Sequence, residues 1–144
     1  MRWLSLDHGT KRLGLAVCDP SEFLFTPKGV WLMEESSILP RLIQFCQEEG
    51  IQALCVGFPQ HQDGSPSLTA PAAKSFAHEL ARATGLPLKM IGEHLTSAMA
   101  ETRMREEGVP SGQFSQWIDA YAAMIILEEC ISERRRQDRP LDQI

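Results

Sequence analysis

The sequence predicts an α/β fold, a mixed five-stranded sheet with helices packed on it. Two patterns carry that expectation. Three short apolar segments with short connections fill the first third of the chain, as in an antiparallel meander. After them, apolar strands alternate with stretches of helical period, as in parallel strands joined by crossovers. The totals agree: 144 residues, 43% hydrophobic and 23% charged, describe one ordinary globular domain able to bury a core.

The elements follow in order. "WLSL" (Trp3 to Leu6) reads as a first strand running into Asp7, and "LGLAVC" (Leu13 to Cys18) returns after the turn "HGTKR". "GVWLM" (Gly29 to Met33) follows a Pro-containing loop as a third strand. Ile38, Leu39, Leu42, Ile43 and Cys46 then recur at helical intervals until Gly50, with Pro40 tolerable only in the first turn. "QALCVGFP" is a compact strand, apolar as expected when both faces are covered. A helix is expected from Ala70 to Thr84, a strand in "LPLKMIG", and a helix in "TSAMAETRMREEG" that Thr96 or Ser97 could cap. A long helix runs from about Phe114 to Arg136, leaving 137–144 as a flexible tail.

Several function classes recede at this stage. The longest apolar run, near "AYAAMIILEEC", is far short of the roughly 18 residues a membrane span needs. A strand that starts at Trp3 leaves no room for a signal peptide, so a cytoplasmic location is expected. Cys18, Cys46, Cys55 and Cys130 lack the spacings of a zinc site and read as buried free thiols. The formal net charge of −5 argues against a general nucleic-acid coat, though not against local binding through metal ions and a few cations. The basic run "ERRRQDR" reads first as a solvated helix end near the negative pole of the dipole.

Three carboxylates stand out. Asp7 and Glu93 both lie just past apolar strand segments, where ligands gather in open α/β sheets. Asp119 lies near the start of the last helix, on one face with Ala122, Ala123 and Ile126, and the alanines allow close approach to the sheet. Each acid alone also reads as a turn, cap or dipole residue. Together, without a Cys or His ligand set, they suit a hard cation, Mg²⁺ or Mn²⁺, and metal-assisted phosphodiester hydrolysis.

The motifs then add to this reading. "DHGTKRLGLAV" resembles the DxGxxRxGxA opening of the YqgF/RuvX family, within the ribonuclease H-like fold. "VGFPQHQDGS" is similar to its VGxPxxxDG loop, "GEHLTSAMAE" to its DERLTTxxAE segment, and "IDAYAAMIILEEC" to its DxxAAxxILxxYL helix. The four motifs stand in order over residues 7 to 130. The resemblance implies a nuclease domain with Asp7, Glu93 and Asp119 as metal-binding acids. It implies as substrate either the 5′ end of 16S ribosomal RNA precursors or four-way DNA junctions, from a monomer or homodimer. Gly9 would let backbone approach substrate, and Gly14 would relieve crowding in the return strand. Thr10, Lys11 and Arg12 sit where phosphate contacts are useful, Arg12 being the motif's own residue. Thr96 matches the segment after the second acid and reads equally as a helix cap.

Two departures from the pattern bear on activity. The family's Arg after the second acid is His94 here and its preceding Asp is Gly92, while the basic loop before the last helix is "SGQFSQW". Phe114 and Trp117 in that segment could stack on bases but read first as packing residues. Two other classes stay open: a non-catalytic nucleic-acid-binding module, and a phosphotransferase of the sugar-kinase and actin type. The latter normally needs two such domains.

Overall fold

The computed structural model describes residues 1–33, 37–61, 63, 67–93 and 96–138. Strands β1 (Trp3–His8), β2 (Arg12–Cys18) and β3 (Phe25–Leu32) form an antiparallel meander. Helix α1 (Ile38–Glu48) leads to β4 (Ala53–Pro59), α2 (Ala70–Thr84) to β5 (Leu88–Glu93), and both strands run parallel to β1 and to each other. Helix α3 (Thr96–Glu106), a 3-10 turn (Ser111–Gln113) and helix α4 (Phe114–Asp138) complete the described chain. The sheet order is β3-β2-β1-β4-β5, which puts β1 at the centre.

Strand alternation sorts the core into two faces. Leu4 and Leu6 point with Leu13, Leu15, Leu54 and Val56 into a cluster closed by Leu42 of α1 and Leu80 of α2. Each such leucine, fully buried, contributes roughly 1.5–3 kcal/mol. Trp3, Cys55 and Ile91 point the other way, under Ile126, Leu127, Cys130 and Ile131 of α4. Helix α4 is in turn covered by α3, whose Ala100 and Met104 meet Tyr121, Met124 and Ile125. Sheet on one side and helix on the other bury every residue from Ala120 to Leu127, which explains the apolar run there. Phe114 and Trp117 pack at the edge of that second helical contact, and the four cysteines are buried free thiols, as expected. None of the described helices is long and apolar enough to cross a membrane.

The expected elements are present, with differences in extent. Strand β3 starts at Phe25, four residues before the expected Gly29, and so runs through Pro27. A proline lacks a ladder donor, but β3 is an edge strand, and its register against β2 shifts between Leu15 and Ala16. Gly29, at φ 151°, supplies the backbone that this bulge needs. Strands β1 and β5 run one or more residues further than expected and take in Asp7 and Glu93 themselves. Pro40 is the third residue of α1, in the first turn. Helix α4 extends through Asp138, while residues 139–144 of the expected tail lie outside the described residues.

Candidate active site

Asp7 owes its position to strand parity and to two glycines. It follows Trp3 and Ser5 on the face that α4 covers, paired with Gly14 on one side and Gly57 on the other. A Cβ on Gly14 would overlap the backbone carbonyl of Asp119, and one on Gly57 would overlap the Ile126 side chain. Both missing methyl groups let α4 lie directly on the strands. The Ser5 hydroxyl then donates to the Ala123 carbonyl at 2.7 Å, fixing the helix over β1. Gly14 therefore serves the close approach of α4 rather than the strand alone.

This docking brings Asp119 beside Asp7. Burial pushes the Asp7 carboxyl up from its ordinary 3.8 to about 7, with the Asp119 charge adding to the rise and Arg12 opposing it. No hydrogen bond to the Asp7 carboxylate occurs among the described residues. Asp119 is held instead by Arg12, whose Nε donates to Oδ2 at 2.7 Å. The guanidinium side chain is 54% exposed and the carboxylate 20%, so the pair lies at the rim.

Glu93 closes the other side. It ends β5, and its carbonyl accepts from the Gln60 backbone N–H at 2.9 Å, tying the ends of β4 and β5 together. Burial raises the Glu93 carboxyl from 4.5 to about 7, followed by the charges of Glu129 and Asp7. Asp119 thus acts on Asp7, and Asp7 in turn on Glu93. The three acids do not share one cleft, however. An open cleft of about 850 Å³ between β5, α3 and α4 includes Glu93, Met99, Arg103, Glu106 and Glu129 but neither Asp7 nor Asp119.

The donor chemistry here fits a hard divalent cation: carboxylate oxygens, two of them held at raised pKa by burial and by neighbouring acids. The arrangement is only partly assembled. Among the described residues no three His, Cys, Asp or Glu side chains are grouped to hold a metal ion. The cation that Asp119 does meet is Arg12.

The remaining candidates divide. Gly9 closes the β1–β2 turn, its N–H donating to the Arg12 carbonyl at 2.9 Å, and a Cβ there would sit 2.7 Å from that oxygen. Thr10 and Lys11 are exposed in the same turn, which the Met33 N–H ties to β3 through the Lys11 carbonyl. His94 lies outside the described residues, as does the side chain of Thr96. Gln60 and Glu129 were missed by sequence reasoning. Both fall at unspecified positions of the quoted motifs, and Gln60 emerges only beside Gly92, where a Cβ would meet the far end of its side chain.

Comparison with known proteins bears on the family and the fold. The model of the RuvX family, described as a Holliday junction resolvase, matches residues 1–133. A protein of Maridesulfovibrio salexigens named "Putative pre-16S rRNA nuclease" is 34% identical over 129 residues, covering 89% of this chain and 96% of its own. An Anaeromyxobacter protein of the same name is 35% identical over 137 residues, covering 93% and 98%. Among solved structures, Thermus thermophilus RuvC in complex with Holliday junction substrate superposes with a TM-score of 0.60. It covers 98% of this chain and 99% of its own at 18% identity, a likeness of fold.

Proposed function

This chain belongs to the RuvX family, and we propose that it is a divalent-metal-dependent nuclease that hydrolyses phosphodiester bonds in the 5′-end maturation of 16S ribosomal RNA precursors. The observation that carries the proposal is Asp7, a carboxylate at the centre of the sheet with its proton affinity raised by burial and by Asp119. Such a group is costly to keep unless a cation meets it. The names of the curated relatives favour RNA processing as the role.

Asp7, Glu93 and Asp119 would hold Mg²⁺ or Mn²⁺. Bound there, a divalent cation supplies Lewis acidity, which lowers the pKa of attacking water and neutralises charge at phosphorus. The chain's own residues orient the strand. Arg12, Lys11 and Thr10 line the rim where non-bridging phosphate oxygens would be received, with Arg12 suited to two-point contact. Gly9 keeps the turn compact beneath them. Thr96, following Glu93, is assigned to the substrate on the strength of the motif, and His94 because it stands where the motif has Arg.

A second reading, resolution of four-way DNA junctions, is favoured by the description of the family model. It would require two such sites related by symmetry, hence a homodimer. One experiment separates these readings and tests both. Wild type and Asp7→Asn are incubated with labelled single-stranded RNA and with a four-way junction, each with Mg²⁺, Mn²⁺ or chelator. Metal-dependent cutting lost in Asp7→Asn supports the nuclease, and the preferred substrate selects the role. Absence of cutting by folded wild type on either substrate favours a binding module.

A further inference from the structure

We infer that Arg12 is an internal counter-cation that holds Asp119 until metal loads, and is then released to bind the substrate phosphate. The inference rests on the metal-dependent reading above and goes beyond it by giving one residue two successive partners. Its basis is the Nε–Oδ2 contact of 2.7 Å joining a residue of the β1–β2 turn region to one of α4, 107 positions apart. The Asp119 charge raises the proton affinity of the buried Asp7 carboxyl and the Arg12 guanidinium lowers it, so this ion pair borders the central acid. A metal ion and the guanidinium therefore compete for the same carboxylate oxygen.

Release is mechanically easy. The Arg12 side chain is 54% exposed, and its backbone is fixed independently by the Gly9 N–H on its carbonyl and by pairing with Leu32 of β3. The guanidinium can rotate into solvent while β2 stays in place. What it leaves is a carboxylate, and what it would meet at the rim is a phosphodiester with two non-bridging oxygens: a guanidinium can donate to either anion. Among the described residues the three acids are not grouped for a metal. Asp119 is turned to its resident partner.

The test is direct Mn²⁺ binding, followed by the resonance signal of free ion, for wild type, Arg12→Gln, Arg12→Lys and Asp7→Asn, all first shown to melt cooperatively. Removal of a competing exposed ion pair of ordinary strength predicts about two- to fivefold tighter Mn²⁺ binding for Arg12→Gln. Arg12→Lys, which keeps the charge but not the fork, is expected between the two. Equal or weaker Mn²⁺ binding by Arg12→Gln, with binding by wild type intact and lost in Asp7→Asn, overturns the exchange while leaving the metal site standing. No Mn²⁺ binding by either wild type or Arg12→Gln overturns the exchange and the metal-dependent reading together.

Discussion

At the scale of single residues, Asp7 carries the strongest consequence. Its carboxyl is raised from 3.8 to about 7 in the folded chain. The folded state therefore binds more protons than the unfolded state between those values, and stability falls as pH rises through that window. The contribution is fully present below about pH 3.8 and lost once pH passes about 7. Asp7→Asn removes the ionisable group, so it should lose activity yet stabilise the metal-free protein at pH 8. The gain expected is on the order of 2–4 kcal/mol, since one pKa unit corresponds to about 1.4 kcal/mol. Denaturant melts of both proteins in chelator, at pH 5 and pH 8, check it. Equal stabilities at pH 8 would mean that the carboxylate is solvated in the absence of metal. Glu93, whose carboxyl is also raised to about 7, reinforces the direction.

At the scale of elements, the site depends on how closely α4 lies on the sheet. Gly14 faces backbone, the Asp119 carbonyl and the Ala120 nitrogen, which cannot give way without moving the helix. Gly57 faces the tip of the Ile126 side chain, which can change rotamer. Gly14→Ala should therefore cost at least about 1–3 kcal/mol, the usual range for overpacking, and cut cleavage severely by displacing Asp119. Gly57→Ala should cost less and leave most activity. Melting temperatures and cleavage rates of the two variants, measured side by side, decide the order. The reverse order would place the critical approach over β4 instead of β2. This contact also shows what was legible in the sequence. The alanines of α4 and the spacing of Asp119 indicated a helix that could come close, and the strand motif supplied Gly14, but nothing in one dimension joined the two. The same limit hid the start of β3. Pro27 argues against a strand until β3 is known to be an edge with a bulge, which is a property of the sheet. The Arg12–Asp119 pair was hidden for a different reason: the motif marks Arg12 for phosphate, and only the assembled fold shows that it meets Asp119.

At the scale of the whole molecule, charge becomes the constraint. The chain carries a formal net charge of −5, and the cleft beside Glu93 is lined by five glutamates, Glu93, Glu106, Glu128, Glu129 and Glu133, against Arg103 alone. Arg103 is itself engaged by both oxygens of Glu128. The basic run at the end of α4 offers little relief, because Arg134 is paired with Glu22 and Arg136 with Glu129, while Arg135 lies over Phe23 and bonds the Glu22 carbonyl. Phosphate binding is largely electrostatic, so a surface of this sign cannot hold a nucleic-acid strand by counterion release alone. On the metal-dependent reading proposed above, the metal adds to the few cations at the rim, Lys11 and Arg12, and substrate binding should depend on it. Fluorescence anisotropy of a labelled single-stranded RNA at physiological salt checks this, with Ca²⁺, which takes the same oxygen donors, compared against chelator. Binding at least tenfold tighter with Ca²⁺, and lost in Asp7→Asn, is the expected result. Equally tight binding in chelator would place the RNA on side chains remote from the three acids, and the surface cations would then have to be reassigned as its contact.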